Sequence, residues 1–189
     1  MPKKVLFSKE VILDTAFRLF KEEGYDAISA RNVAKALDSS PAPIYKSIGS
    51  MEVLKAELVT RTKKLFIEYL LKERTGIKLF DIGMGVCVFA REEKQLFLQI
   101  FSRHTVKSPL IEEFLNVIRE ELKTDERIIS IDKEKEELLH TCWVFAHGLS
   151  TLIAIDFFKD SSDEFIERSL KNGPARLFYE YLSKYSKKQ

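Results

Sequence analysis

Residues 8–54 read SKEVILDTAFRLFKEEGYDAISARNVAKALDSSPAPIYKSIGSMEVL, and this stretch decides the fold. From Ser8 to Glu23 the apolar residues Ile12, Ala16, Leu19 and Phe20 recur at helical spacing, with Glu10, Asp14, Lys21 and Glu22 elsewhere. Ser8 stands where an N-cap is wanted, and Gly24 where a helix ends in a left-handed residue. Ser29 caps a second helix, Ala30 to Leu37, which offers Val33, Ala34 and Leu37 to a small core. Asp38 closes it, since Asp tolerates the left-handed region better than most residues with a side chain. Ser40 is placed to cap a third helix. Pro41 and Pro43 do not forbid that helix, because first-turn N–H groups have no intrahelical partner and the fixed φ of proline is helical. The third helix is short, running through about Ile48, because Gly49-Ser50 ends it and Ser50 caps the next.

Two short helices joined by a tight turn, the second carrying Tyr45 and Lys46, have the form of a helix-turn-helix. In that motif one helix lies on the phosphate backbone and the next enters the major groove. The sequence then adds a longer pattern: Leu19-Phe20 to Gly24-Tyr25, Ser29-x-Arg31-x-Val33-Ala34-x-x-Leu37, Ser40-x-x-x-Ile44-Tyr45, and Ser50-x-Glu52-x-Leu54. This order, unbroken by gaps, resembles the TetR family of transcriptional regulators. The resemblance implies that Ser29 and Arg31 sit near a phosphate and the groove edge, at the start of the supporting helix. Ser40 would open the recognition helix, Pro41, Ala42 and Lys46 would face base edges, and Tyr45 would hydrogen-bond a phosphate. The chemistry agrees, because hydroxyls and helix N-termini bind phosphates and a cation reaches a phosphate or a guanine. Three positions depart from the family pattern: Ile48 replaces an aromatic residue, Met51 a lysine and Asp38 the turn glycine. Met51 cannot pair with a phosphate, and Ser47 is short for reading bases. Direct readout therefore rests on few side chains, with DNA shape contributing the rest.

The bulk composition is permissive. With 45% hydrophobic and 32% charged residues the chain suits a folded globular protein, not a disordered one. A net charge of +2 does not by itself mark a nucleic-acid binder, so any electrostatic footprint must be local. Lys3, Lys4, Lys9, Arg31 and Lys46 flank the motif. The N-terminus lacks the pattern of a signal peptide. The longest charge-free stretches, Ile82–Ala90 and His140–Ile155, are too short to span a bilayer. A cytoplasmic protein with no membrane partner is expected, with Cys87 and Cys142 as buried free thiols.

Beyond the motif the pattern stays helical. Ser50 to about Arg74 reads as one long helix with Leu54, Leu58, Leu65 and Tyr69 on a stripe and a solvated face of Lys55, Arg61, Lys63, Lys64 and Lys72. Ile77 to Ala90 is apolar on nearly all sides, as in a helix buried in the middle. Gly83 and Gly85 weaken it by roughly 1 kcal/mol each against alanine, so packing must sustain it. Helices follow over Glu92–Arg103, from Pro109, over about Lys133–Phe158, over Asp163–Lys171, and over Ala175–Tyr185 beyond an Asn172-Gly173-Pro174 interruption. No segment alternates with period two. The expected fold is all-α: a three-helix helix-turn-helix head over residues 1–50, with the linking helix reaching about 66. Residues 51–189 would form a helical-bundle regulatory and dimerisation body.

Trp143-Val144-Phe145-x-His147-Gly148-Leu149-x-x-Leu152 is similar to the penultimate helix of TetR-like bodies. The resemblance implies that the last two helices pack against their copies in a homodimer, with Gly148, Leu152, Ile155, Phe178 and Tyr181 at the interface. Two symmetric recognition helices would then read a palindrome in double-stranded DNA.

A catalytic or di-iron body fails on its residues. Glu137-x-x-His140 has di-iron bundle spacing, but Phe101 and Val144 stand three residues before His104 and His147, so the second pair is missing. His140 and His147 share a face with Cys142 displaced from it, and no nucleophile elbow, P-loop or dinucleotide fingerprint is present. No catalytic residue, metal or cofactor is assigned. Apolar pockets with a few polar groups suit small ligands. Met84, Cys87, Phe97, Phe101, His104, Phe114, His140, Trp143 and His147 are the candidate lining. The expectation is a sequence-specific DNA-binding regulator, a homodimeric repressor released by a small hydrophobic ligand. The alternative is a helical small-molecule or metal-binding protein with a degenerate DNA-binding head.

Overall fold

Caps and turn residues set the helix boundaries. The computed structural model describes residues 7–101, 109–125 and 135–186. Its helices are α1 Lys9–Glu23, α2 Ala30–Ala36, α3 Pro41–Ile48, α4 Met51–Leu71, α5 Lys78–Glu92, α6 Lys94–Phe101, α7 Pro109–Leu122, α8 Lys135–Ala154, α9 Asp163–Asn172 and α10 Pro174–Ser186. A 3-10 turn, Tyr25–Ala27, follows α1. No strand occurs among the described residues, and the fold is all-α. The hydroxyls of Ser8, Ser29 and Ser50 accept from the backbone N–H groups of Val11, Asn32 and Val53 at 3.2, 3.2 and 3.3 Å. Each satisfies a helix N-terminus as its sequence position suggests.

Ser40 does not. It holds the cap position of α3, yet its side chain makes no capping bond. A capping oxygen bonds the N–H of the second or third helical residue, and the third here is Pro43, which has none. The two prolines set the first turn by their fixed φ instead.

Helices α2 and α8 end alike. Asp38 has φ 49°, its N–H donates to Lys35 O at 3.1 Å, and the Ser39 N–H donates to Ala34 O at 2.9 Å. Asp156 has φ 55°, its N–H donates to Ile153 O at 3.0 Å, and the Phe157 N–H donates to Leu152 O at 3.0 Å. Both are Schellman stops with an aspartate in the left-handed position that glycine usually fills. The second stop ends α8 at Ala154, short of the expected Phe158.

Packing groups residues 1–65 with 93–103 in one unit, and 66–92 with 104–189 in another. The first unit is the head, extended by α6, which the sequence pattern had put in the body. Helix α1 packs on α2, α3 and α6, and α2 on α3. Ile12, Ala16, Phe20, Val33, Ile44, Leu54, Leu58, Leu96 and Phe97 are buried at its centre. Lys21 and Glu93 meet at 2.5 Å and Lys9 and Glu57 at 2.6 Å, while Arg61 pairs with both Glu10 and Asp14. Lys55 stands 4.9 Å over the Tyr25 ring. Two members of the expected solvated face, Lys55 and Arg61, are thus tied to the head.

In the second unit α5 is the central helix, with Ile82 and Met84 through Ala90 all buried. Helices α7, α8 and α9 pack on it, and α10 packs on α8 and α9. Phe66 lies edge-on to Phe89 and Phe114, with ring centroids 5.0 and 4.7 Å away. A Cβ on Gly85 would fall 2.2 Å from the Tyr69 carbonyl oxygen, so α5 crosses α4 backbone against backbone. The buried Asp81 carboxylate accepts from the Thr75 N–H and hydroxyl at 2.7 and 2.5 Å. Burial pushes the Cys87 thiol up to about 12, and the Ser150 hydroxyl stands 3.4 Å from its sulfur. Burial likewise raises Cys142 to about 12. Both cysteines are free, Cys87 buried as expected but Cys142 only half-buried. Among the described residues no helix is long and apolar enough to cross a membrane.

Candidate nucleic-acid interface

The α2–α3 unit sorts its residues by face. Ile44 and Ile48 point into the head and are buried, whereas Pro41, Ala42, Tyr45 and Lys46 are exposed. Positions 41, 42, 45 and 46 fall one helical turn apart in pairs, so they form a single outward face. Tyr45 is 48% exposed despite its ring. Arg31 and Ser40 are exposed nearby, and Ser29 is half-buried because its hydroxyl caps α2. Asn32, the acceptor of no earlier role, donates from its side chain to Ala27 O at 2.8 Å and locks the loop that leads into α2.

Charge on the head is divided in the same way. Lys9, Lys21 and Arg61 are each paired with carboxylates, and Arg18 pairs with Glu22 at 3.0 Å. The side chains of Arg31, Tyr45 and Lys46 make no hydrogen bond or ion pair with another described residue. A chain with a net charge of only +2 thereby keeps unneutralised cations on the outward face of the motif. That is the local footprint which phosphate binding requires. Lys3 and Lys4 lie outside the described residues.

Ser47, short for a base reader, has a different role. Its hydroxyl donates to Phe7 O at 2.8 Å and ties the chain ahead of α1 to the recognition helix. No sequence signal points to this bond, since it joins residues far apart in the chain. At the start of α4 the Glu52 carboxyl is held below the usual range, chiefly by a hydrogen bond with Ser50.

The residues expected to line a ligand pocket are divided between the two units. Phe97 and Phe101 belong to the first unit, their rings 4.8 Å apart. His104 lies outside the described residues. Met84, Cys87 and Phe114 are buried core of the second unit. His140 is exposed, and Trp143 stacks on His147 at 5.8 Å. Burial lowers His147, favouring its neutral form. Among the described residues no group of three or more His, Cys, Asp and Glu side chains is placed to hold a metal.

Of the residues expected at a self-association surface, Gly148 is exposed on α8, Leu152 on the same helix is half-buried, and Ile155 is exposed just beyond its end. Phe178 is only 5% exposed within the single chain, and the side chain of Tyr181 lies outside the described ones. Val144 and Tyr179, not singled out from sequence, are 55% and 57% exposed.

Residues 12–58 match the model of a protein family described as bacterial regulatory proteins, tetR family. The match runs from α1 into α4 and contains the whole helix-turn-helix. No curated protein matches the chain. The folded motif, its charged outward face and this match agree that residues 12–58 are similar to the DNA-binding head of bacterial regulatory proteins of the tetR family.

Proposed function

We propose that the protein is a cytoplasmic repressor that binds a palindromic operator as a homodimer and leaves it when a small hydrophobic molecule binds the body. One observation supports the DNA half: the side chains of Arg31, Tyr45 and Lys46 are exposed and unpaired, as Pro41 and Ala42 are exposed, while Lys9, Arg18, Lys21 and Arg61 are each paired with a carboxylate. A single eight-residue α3 covers too few base pairs for useful discrimination, and two related by a two-fold axis read adjacent major grooves. Val144 and Gly148 recur at helical spacing on the exposed side of α8, and the exposed Ile155 follows its last residue, which supports self-association there. Repression follows from occupancy of the promoter. Ligand release needs differential affinity of the ligand for the two states of the body.

Mobility shift with the DNA flanking its own gene tests this reading. A complex that weakens steeply with salt is expected, and Tyr45→Phe and Lys46→Ala should both weaken it. A chain that forms no salt-sensitive complex, or whose two variants bind as well as the parent, has lost the DNA role. The alternative of a small-molecule binder with a degenerate head would then replace it.

A further inference from the structure

The chain enters α1 from beside α3. Phe7 is half-buried, and its carbonyl accepts a 2.8 Å hydrogen bond from the Ser47 hydroxyl. Ser8 is extended, at φ −64° and ψ 154°, and both its hydroxyl and its carbonyl are held by the first turn of α1. The backbone is thus fixed at two consecutive residues. Ser47 directly follows Lys46, an exposed cation with no carboxylate partner among the described residues. Lys3 and Lys4 stand four and three residues before Phe7. A polypeptide spans at most about 3.5 Å per residue, so their backbones lie within roughly 14 and 10 Å of that anchor by chain length alone.

The carboxylates closest to the anchor along the chain already hold cations. Glu10 and Asp14, the first two acidic residues after Phe7, both pair with Arg61, and Glu57 pairs with Lys9 at 2.6 Å. A further exposed ion pair with any of them would contribute little. Double-stranded DNA is a stronger attractor. It carries one negative charge per about 1.7 Å of its axis and releases a counterion for each phosphate that a lysine neutralises. A duplex seated on the exposed face of α3 therefore brings several phosphates within reach of both lysines.

We propose that the segment ahead of α1 is a second DNA-binding element of the head: Ser47, through Phe7, delivers the Lys3 and Lys4 ammonium groups to phosphates flanking the stretch that α3 covers. This rests on the reading of the head as a DNA binder and adds a contact from outside the helix-turn-helix. Once α3 has docked, the anchor makes each lysine–phosphate contact intramolecular, so it adds affinity without a separate association cost. Ser47 is then a positioning residue and not a base reader. Phosphate contacts carry no sequence information, so the element sets affinity and register while the choice of bases stays with α3.

The untagged full chain is titrated with a duplex from the DNA flanking its own gene at several salt concentrations. In the Lys3→Ala, Lys4→Ala double variant the slope of log affinity against log salt should fall by about two. Raising salt from about 50 to about 200 mM should then weaken it about tenfold less than the parent. Lys123→Ala with Lys171→Ala removes the same charge from the second unit and should leave the slope unchanged. Ser47→Ala should weaken binding in the parent but add little in the Lys3, Lys4 double variant, because it acts through the same contacts. Circular dichroism verifies folding in each. A slope unchanged by loss of Lys3 and Lys4, a change no larger than that of the second-unit variant, or an equal Ser47→Ala effect in both backgrounds overturns the proposal. A salt-sensitive parent complex would in those cases leave the DNA reading standing. A parent that forms no such complex ends both.

Discussion

The Ser47 hydroxyl in the last turn of α3 donates a 2.8 Å hydrogen bond to the carbonyl of Phe7, forty positions earlier. The bond is half-buried and holds the chain before α1 against α3. Ser47→Ala should lower the free energy of unfolding by about 1 kcal/mol, the net worth of such a bond. It should also weaken DNA binding, whereas Ser47→Thr retains the donor and most of both. An unchanged urea midpoint in Ser47→Ala would show that the bond contributes nothing.

Lys46 and Lys9 are both exposed cations of the head, but only Lys9 has a carboxylate partner, Glu57 at 2.6 Å. Lys46→Ala should therefore reduce the slope of log affinity against log salt by about one, the release of one counterion. Lys9→Ala should leave that slope where it was. Equal slopes for the two variants would place Lys46 away from the phosphates.

Asp38 and Asp156 hold left-handed φ values of 49° and 55° at the ends of α2 and α8. Glycine has no Cβ to crowd the carbonyl there, so Asp38→Gly and Asp156→Gly should each stabilise the protein by roughly 0.5–1 kcal/mol. Alanine at either site should do the reverse. Thermal melts of the four variants decide it, and a lower midpoint for both glycine variants would contradict the Schellman assignment.

Gly85 offers a test of sign. On helix propensity alone Gly85→Ala adds about 1 kcal/mol of stability. Its new methyl carbon would sit 2.2 Å from the Tyr69 carbonyl oxygen, which is backbone and cannot step aside. Loss of about 1–3 kcal/mol is expected from the forced separation of α4 and α5. Denaturant unfolding that shows a gain would mean the two helices part freely.

Burial raises Cys87 and Cys142 from 9.0 to about 12 in the native chain. Both thiols are protonated when folded and lose their protons more readily when unfolded. Their contribution is fully present below pH 9 and declines as pH rises from 9 towards 12, by on the order of 1 kcal/mol per thiol at pH 10. Urea unfolding at pH 7 and pH 10 should show a smaller drop in the Cys87→Ala, Cys142→Ala double variant than in the parent. The same drop in both chains would assign the alkaline loss to other groups.

Local chemistry carries the helix boundaries within the head in the sequence alone. Ser8, Ser29 and Ser50 act as caps where they were expected to, and Asp38 turns left-handed where a helix had to stop. Each depends on atoms within a few residues, so each is visible in a short window of sequence. The all-α fold and the outward face of α3 follow from spacing for the same reason. Only the folded chain decided the rest. Ser47 bonds Phe7, α6 joins the head, and Gly85 is demanded by the Tyr69 carbonyl. Such pairings join positions far apart in sequence, and a periodic pattern says which face of a helix is buried without saying which helix buries it.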